Sequence, residues 1–386
     1  MQRWYFRAKL LVNDMLIYFL LLIGSMAVGI PLCRVKHGKK IYCVLFGVIF
    51  FIVAALRYDV GYDYNLYGNW YVQSQLQSVE DIGAMKQEKG FLIPMKLLSD
   101  VFSDYQVMFV LIAAVFAVAV MLYIYHNSEK PYWSVFCFLA FGLFFNSMNF
   151  MRQMIAAVII VYAFRYIKKK QYFRFLIMTL FASVFHVSAL IMVVFYFLLR
   201  IKMNWISLGV YSAVMLIYML FSEKLINFIT RYVYTGYKLG SNPEITNGVN
   251  PIYTVFFGIF FVTAFLLRKR LCKKDSFNNV LINCMFFTFF FECMGIKHGV
   301  ISRFSVLFFI PAVTVLVPGL VEELLEVCKE KFGKDHKRIT ISRTAVLALF
   351  VSVCTGMYSY MVLNNYNGIS PYKTVITERG AENAEQ

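Results

Sequence analysis

Apolar runs of membrane-spanning length recur along nearly the whole chain, and this recurrence constrains the fold more than any single motif. Between charged or polar breaks they fall at 15–33, 41–56, 106–125, 131–148, 153–167, 205–221, 252–267, 279–296, 304–320 and 344–362 of 386 residues. A bilayer core takes about 20 mainly apolar residues per helix, within a range of about 17–25. The composition agrees, with 60% apolar and 15% charged residues and a mean hydropathy of +0.65. A soluble globule carries about 25% charged residues, so soluble enzyme classes are excluded for the chain as a whole. An all-α polytopic membrane protein is expected, one membrane domain over 1–386.

The stretch 172–199 is too long for one untilted span and too short for two full ones, and Arg174 and Arg200 lie near its ends. It reads as a tight hairpin of two short helices with His186 near the apex, which brings the expectation to about twelve membrane segments. With loops assigned alternately, 23 of the 38 Lys and Arg fall on one side and 15 on the other. The richer side is expected to be cytoplasmic. The net charge of +17 is then a matter of topology, and no nucleic-acid partner is expected. Arg3, Arg7 and Lys9 at the outer-side N-terminus run against the trend. The basic stretch 31–40 lacks a small-residue cleavage site, so the first run is expected to remain as a span.

Two outer-side loops, 57–105 and 222–251, exceed ordinary connectors and are expected to be functional. Within the first, 89–101 (KGFLIPMKLLSDV) is apolar but too short to span, as an interfacial or re-entrant helix would be. The eight Cys form no C-x-x-C, and the five His are scattered without an H-E-x-x-H. No metal site or disulfide framework is expected. The chain also lacks a P-loop and a glycine-rich dinucleotide pattern, so the energy source is expected to lie in the substrate.

The densest polar-aromatic segment is RYDVGYDYNLYGNWY at 57–71. Aromatic faces stack on sugar rings and carboxylates bond hydroxyls, so the segment, with Tyr64 and Tyr67, suits a carbohydrate. An aromatic belt at headgroup level is the alternative, although Asp59, Gly61 and Asp63 exceed what a belt requires. Arg152, between Asn149 and Gln153 at the start of the fifth run, opposes both the helix dipole and the positive-inside tendency. Either it snorkels at the interface, or a bound phosphate or a carboxylate such as Asp59 or Asp63 compensates it. His186 fits a proton shuttle or hydrogen-bond donor beside a phosphate, or a packing residue. Glu292 lies within an apolar run, where an ionisable group is costly unless paired; Lys297 and Arg303 are its nearest cations. The expected topology puts Arg57, Arg152, His186, Lys297 and Arg303 on one membrane face, the makings of a clamp for a pyrophosphate.

At this point the chain resembles the EpsG family, relatives of the Wzy-type polysaccharide polymerases. The resemblance is carried by RYDVGYDYNLY at 57–67, EKGFLIPMKLLS at 88–99, NFMRQMIAAVIIVYAF at 149–164, the 168–198 segment around His186, Arg303 entering a late run and PYK at 371–373. The family pattern usually has Thr where Tyr62 stands. The resemblance implies a GT-C-like helical bundle at the bacterial plasma membrane that polymerises oligosaccharide repeats carried on undecaprenyl (polyprenyl) pyrophosphate. The product would be exopolysaccharide, capsule or O-antigen, made at the outer face without metal, nucleotide or other cofactor. By motif match it carries over Arg57, Asp63, Arg152, His186 and Arg303. In the mechanism expected from charge, Arg152 and Arg303, with Arg57 and Lys297, meet the pyrophosphate, and Asp63 or His186 is the base. Tyr64, Tyr67 and Asn149, with the aromatic loop at Tyr232, Tyr234, Tyr237 and Tyr253, face the glycans. Partners implied are the bilayer, the lipid-linked oligosaccharide, and a chain-length regulator and flippase of the same pathway. A lipid-linked-glycan flippase or transporter, a membrane acyltransferase and a scaffold subunit of an export complex remain as rival readings. A flippase would place ionisable residues along a path reachable from both sides, whereas here only Glu292 lies deep within a run.

Overall fold

A computed structural model describes residues 2–85, 87–232 and 248–378, with side-chain detail beginning at Met15. The described residues are helical throughout, apart from turns and one isolated antiparallel bridge between Arg57 and Thr374. The physical reason is that apolar segments withdrawn from water must satisfy their backbone groups internally, which a helix does within one segment.

In chain order the helices begin with α1 (Gln2–Leu32), α2 (Gly38–Ala55), α3 (Tyr64–Gln75), α4 (Val79–Ala84) and α5 (Lys89–Ser99). Next come α6 (Gln106–Asn127), α7 (Pro131–Ala140), α8 (Leu143–Asn149), α9 (Met151–Lys168), α10 (Tyr172–Phe185), α11 (Met192–Leu198) and α12 (Trp205–Tyr232). The last four are α13 (Pro251–Lys274), α14 (Asn278–Gly295), α15 (Gly299–Phe332) and α16 (His336–Leu363).

Among the described residues seven helices are long and apolar enough to cross a membrane, or eight if the bent pair α7–α8 is one span. They account for eight of the ten apolar runs. The run at 153–167 falls on α9, whose 18 residues also carry Arg152, Arg165 and Lys168. The run at 279–296 falls on α14, diluted by Asn278, Asn279, Asn283 and Glu292. The 172–199 stretch is the expected pair of short helices, α10 and α11, with His186 at the break and a 3-10 turn at Val187–Ile191. The count therefore stands below the twelve segments read from sequence, because four of the segments are too short, too charged or too polar. The second outer loop is also shorter than expected: α12 continues to Tyr232, and of the loop's tyrosines Tyr234 and Tyr237, together with the side chain of Tyr232, lie outside the described residues.

The contacts divide the chain into two compact units. The first comprises residues 1–162, 180–189 and 347–386. Its interior is aromatic: Phe50 stacks on Phe138, Phe145 on Tyr358, and Trp133 meets Phe350 edge-on. Outward lie Leu20, Ile23, Val44 and Val118, each more than half exposed, the face a lipid-solvated unit presents. The 57° bend between α7 and α8 sits at Gly142. Its φ of +73° favours glycine, and an added Cβ would lie 2.9 Å from Met361 Sδ. The tail of this unit folds back as a strap. Tyr372 donates to Val53 O (2.9 Å), and Lys373 O accepts from Tyr58 N (3.0 Å), so the start of the 57–71 segment is pinned from behind.

The second unit, residues 163–179 and 190–346, is built on α11, α13, α14 and α15. Phe195, Phe287, Phe291 and Phe308 interlock at its centre. Asn283, fully buried, ties α14 to the chain after α11 through Leu199 O and Ile201 O. Glu323, also fully buried, is held by Arg270 and Lys274, and Arg270 forks onto Glu330 at 2.7 Å.

Candidate functional site

Arg152 stands in the first turn of α9, where the dipole favours an anion and a cation needs compensation. The partner is Glu88, whose Oε2 accepts a hydrogen bond from Arg152 Nη1. This corrects the sequence expectation of Asp59 or Asp63. Asp59 accepts instead from Asn65 (2.6 Å), and Asp63 stands half-buried at the residue before α3. Two aromatic groups of α3 complete the cradle: Arg152 Nε donates towards Tyr67 Oη (3.4 Å), and the guanidinium lies 5.1 Å from the Trp70 ring centroid.

Glu88 is the residue before α5, the position from which a carboxylate usually caps its own helix. Here it makes no such cap. Its other oxygen, Oε1, lies 2.9 Å from His186 Nδ1 and accepts from Val187 N at 3.3 Å. The His186 contact is a close approach, with the ring N–H out of line for a formed hydrogen bond. The hairpin break makes the meeting possible: the backbone of α10 ends with His186 N donating to Ala182 O, and the following turn aims Val187 N at the carboxylate. Gly90 allows α5 to approach, since a Cβ there would stand 2.6 Å from Val184 O. Burial alone would raise the Glu88 pKa, but His186 and Arg152 outweigh it and hold the carboxyl at about 2. Glu88 is therefore an anion near neutrality. Arg152, Glu88 and His186 are each about one-fifth exposed, so the cluster is sheltered yet reachable.

Next to these three residues runs an apolar cavity of about 520 Å³ between α5, α6, α9 and α10. Phe91, Pro94, Leu111, Val115, Ile155 and Phe181 are among its lining residues. The helices that carry the charged cluster thus carry the cavity wall as well: Phe91 is one turn past Glu88, Ile155 one turn past Arg152, and Phe185 immediately precedes His186.

The other residues singled out from sequence fall into two groups. Arg57, Asn149 and Tyr64 are buried framework of the first unit. Arg57, 2% exposed, donates to Met148 O (2.5 Å) and packs on the Phe109 and Tyr64 rings. Burial lowers its pKa to about 10, against the opposing effect of Tyr64, Tyr18, Tyr372 and Tyr67, so it remains charged. Asn149 donates to Phe145 O (3.2 Å) and its Oδ1 faces Asp63 N at 3.5 Å. Tyr64 stacks on Phe109 and donates to Gln106 Oε1 (2.8 Å), and Tyr67 is 2% exposed beside Arg152. Neither tyrosine offers a sugar an open ring face, because the α3 apolar stripe draws both into the core; Tyr62, 72% exposed, does. Lys297 and Arg303 belong to the second unit, the first exposed and the second half-buried. Glu292 there does not pair with either. Its Oε1 accepts from Ser305 Oγ at 2.8 Å.

Sequence reasoning singled out Arg152 and His186 and missed Glu88, which joins them. The signal was present: an acidic residue opening a short apolar helix, in a chain where an Arg in the first turn of a helix needs a carboxylate. Of the described residues, no three His, Cys, Asp or Glu side chains converge as metal ligands would.

Among the described residues, helices throughout with seven candidate spans define a multi-pass membrane protein, in which a sheltered Arg–Glu–His cluster adjoins an apolar cavity. Residues 40–374 match the EpsG family, and the chain belongs to this Wzy-type polymerase-like family. Comparison with curated proteins and with solved structures gives no match.

Proposed function

We propose that this protein joins polyprenyl-pyrophosphate-linked oligosaccharide repeats into a longer exopolysaccharide at the outer face of a bacterial plasma membrane. Membership of the EpsG family supports the exopolysaccharide polymerase class. The observation that carries the reading for this chain is the position of Arg152, a cation one-fifth exposed that shares Glu88 with His186 next to an apolar cavity. A pyrophosphate-linked lipid has the matching form, a dianionic head on a long apolar tail.

In the reaction an acceptor sugar hydroxyl attacks the anomeric carbon of the donor glycan, and the glycosyl bond to pyrophosphate breaks with its electron pair. Negative charge grows on the departing pyrophosphate, where a prepositioned guanidinium is worth more than in water. Arg152 supplies it, released in part from Glu88 as the substrate arrives. Tyr67 and Trp70 keep the guanidinium in place, and the cavity takes the isoprenoid units nearest the head. Asp63 or His186 takes the acceptor hydroxyl proton. The reading needs neither Lys297 nor Arg303. The four helices left out of the spanning set, α9, α10, α11 and α14, complete about twelve membrane segments in a GT-C-like bundle, and a chain-length regulator and a flippase act in the same pathway.

The test is a polymerisation assay in proteoliposomes supplied with the lipid-linked repeat. Wild-type protein yields a ladder of products. Arg152→Ala, inserted and folded as judged by thermal unfolding, loses at least 10²-fold in rate, the usual scale for removing one charge-stabilising donor. A normal ladder from that variant removes Arg152 from the chemistry.

A further inference from the structure

Glu88 contacts both residues on which the proposed reaction depends. Its two oxygens are divided between them, Oε2 to Arg152 and Oε1 to His186 Nδ1 and Val187 N. A carboxylate beside one imidazole nitrogen fixes which nitrogen carries the proton and steadies the imidazolium that forms when the other takes one. Among the described residues nothing bonds His186 Nε2, and the ring is one-fifth exposed. We infer that Glu88 is the positioning residue of a carboxylate–imidazole base: it holds His186 with Nδ1 inward, leaving Nε2 to take the acceptor hydroxyl proton, and its second oxygen holds Arg152 ready for the pyrophosphate. The inference rests on the polymerase reading above and selects His186 over Asp63 as the base.

The step balances without an added reactant. The acceptor O–H proton passes to His186 Nε2, and the acceptor oxygen bonds the anomeric carbon. The carbon–pyrophosphate bond breaks, its electrons leaving on the polyprenyl pyrophosphate beside Arg152. The imidazolium, paired with Glu88, then returns its proton to water or to the leaving pyrophosphate. Out-of-line contacts of this kind tighten when substrate is bound.

The charged and titratable groups around the pair are few. Arg152 faces Glu88 from α9, and Tyr67 faces Arg152 from α3, with Asp63 acting on Tyr67 from the start of that helix. Lys89 follows Glu88 directly, but its ammonium turns back to the carbonyls of Ile82 and Met85. One anion is thus shared between an arginine and an imidazole, an arrangement that packing alone does not require.

The experiment compares full-length wild type, Glu88→Gln and Glu88→Asp in proteoliposomes, measuring kcat and KM for the lipid-linked repeat across pH, and binding of inorganic pyrophosphate. Glu88→Gln keeps the shape and removes the charge. Its kcat is expected to fall by about 10²-fold or more, in the range for general-base catalysis, with KM changed little. The acid limb of its kcat profile moves to lower pH, since losing a neighbouring anion disfavours the protonated base. Glu88→Asp recovers part of the rate and keeps the limb near its wild-type position. Pyrophosphate binding survives in both variants and is lost in Arg152→Ala. An unmoved acid limb and near-wild-type kcat in Glu88→Gln overturn the inference while the polymerase reading stands. If Glu88→Gln does not fold, a Glu88→Asp variant with wild-type rate and a displaced limb overturns it equally. Absence of polymer from the wild-type protein overturns the polymerase reading, and the base assignment with it.

Discussion

Two arginines of the first unit illustrate how environment assigns a role to a residue type. Arg57 is sealed by Met148 O and two rings, whereas Arg152 keeps a fifth of its side chain open beside an exchangeable carboxylate. Arg57→Ala is therefore expected to act on stability. It leaves the Met148 carbonyl without its donor and costs about 1–3 kcal/mol, read as a lowered Tm in detergent with pyrophosphate binding retained in the remaining folded protein. Gly90→Ala should cost a similar about 1–3 kcal/mol, because its Cβ would meet the Val184 carbonyl rather than a side chain able to yield. The same substitution pushes α5 off the hairpin, so its rate loss should exceed its stability loss. A polymerisation assay run well below the variant's Tm checks this.

At the scale of elements, the site is a meeting of ends: the start of α5, the start of α9 and the break after α10. Glu88 links the three, and this makes their association sensitive to acid. Its folded pKa of about 2 lies below the ordinary value of about 4.3. The stabilisation is therefore present above the ordinary value and is lost as pH falls through that interval towards 2. Thermal unfolding followed from pH 6 to pH 3 should show the wild-type midpoint falling faster than that of Glu88→Gln; parallel curves would mean that Glu88 contributes nothing to the docking. Several of these elements were readable from sequence. The short helix expected at 89–101 is Lys89–Ser99, and the hairpin with His186 at its break forms as expected. Both follow from local pattern, since an apolar run bounded by charges can be only so long. The fate of Tyr64 and Tyr67 was not readable, because an aromatic residue on an outer segment packs inward or stays open according to what lies beneath it, here Phe109 and Phe91.

At the scale of the molecule, the distribution of Lys and Arg predicts sidedness. Cysteines placed at Tyr62, exposed just before α3, and at Lys170, in the turn between α9 and α10, should react with a membrane-impermeant maleimide differently. The first is expected to label in intact cells and the second only after permeabilisation, while labelling of both in intact cells would break the proposed topology. The membrane class and the positions of most spans follow from the sequence alone, and so does the singling out of Arg152 and His186, because bilayer thickness and the cost of a cation at a helix start act on local stretches of chain. What answers that cation depended on tertiary structure. Glu88 lies 64 residues before Arg152 and 98 before His186, and no local pattern relates them. Only the close approach of α5 at Gly90, the hairpin break and the first turn of α9 bring one carboxylate within reach of both partners.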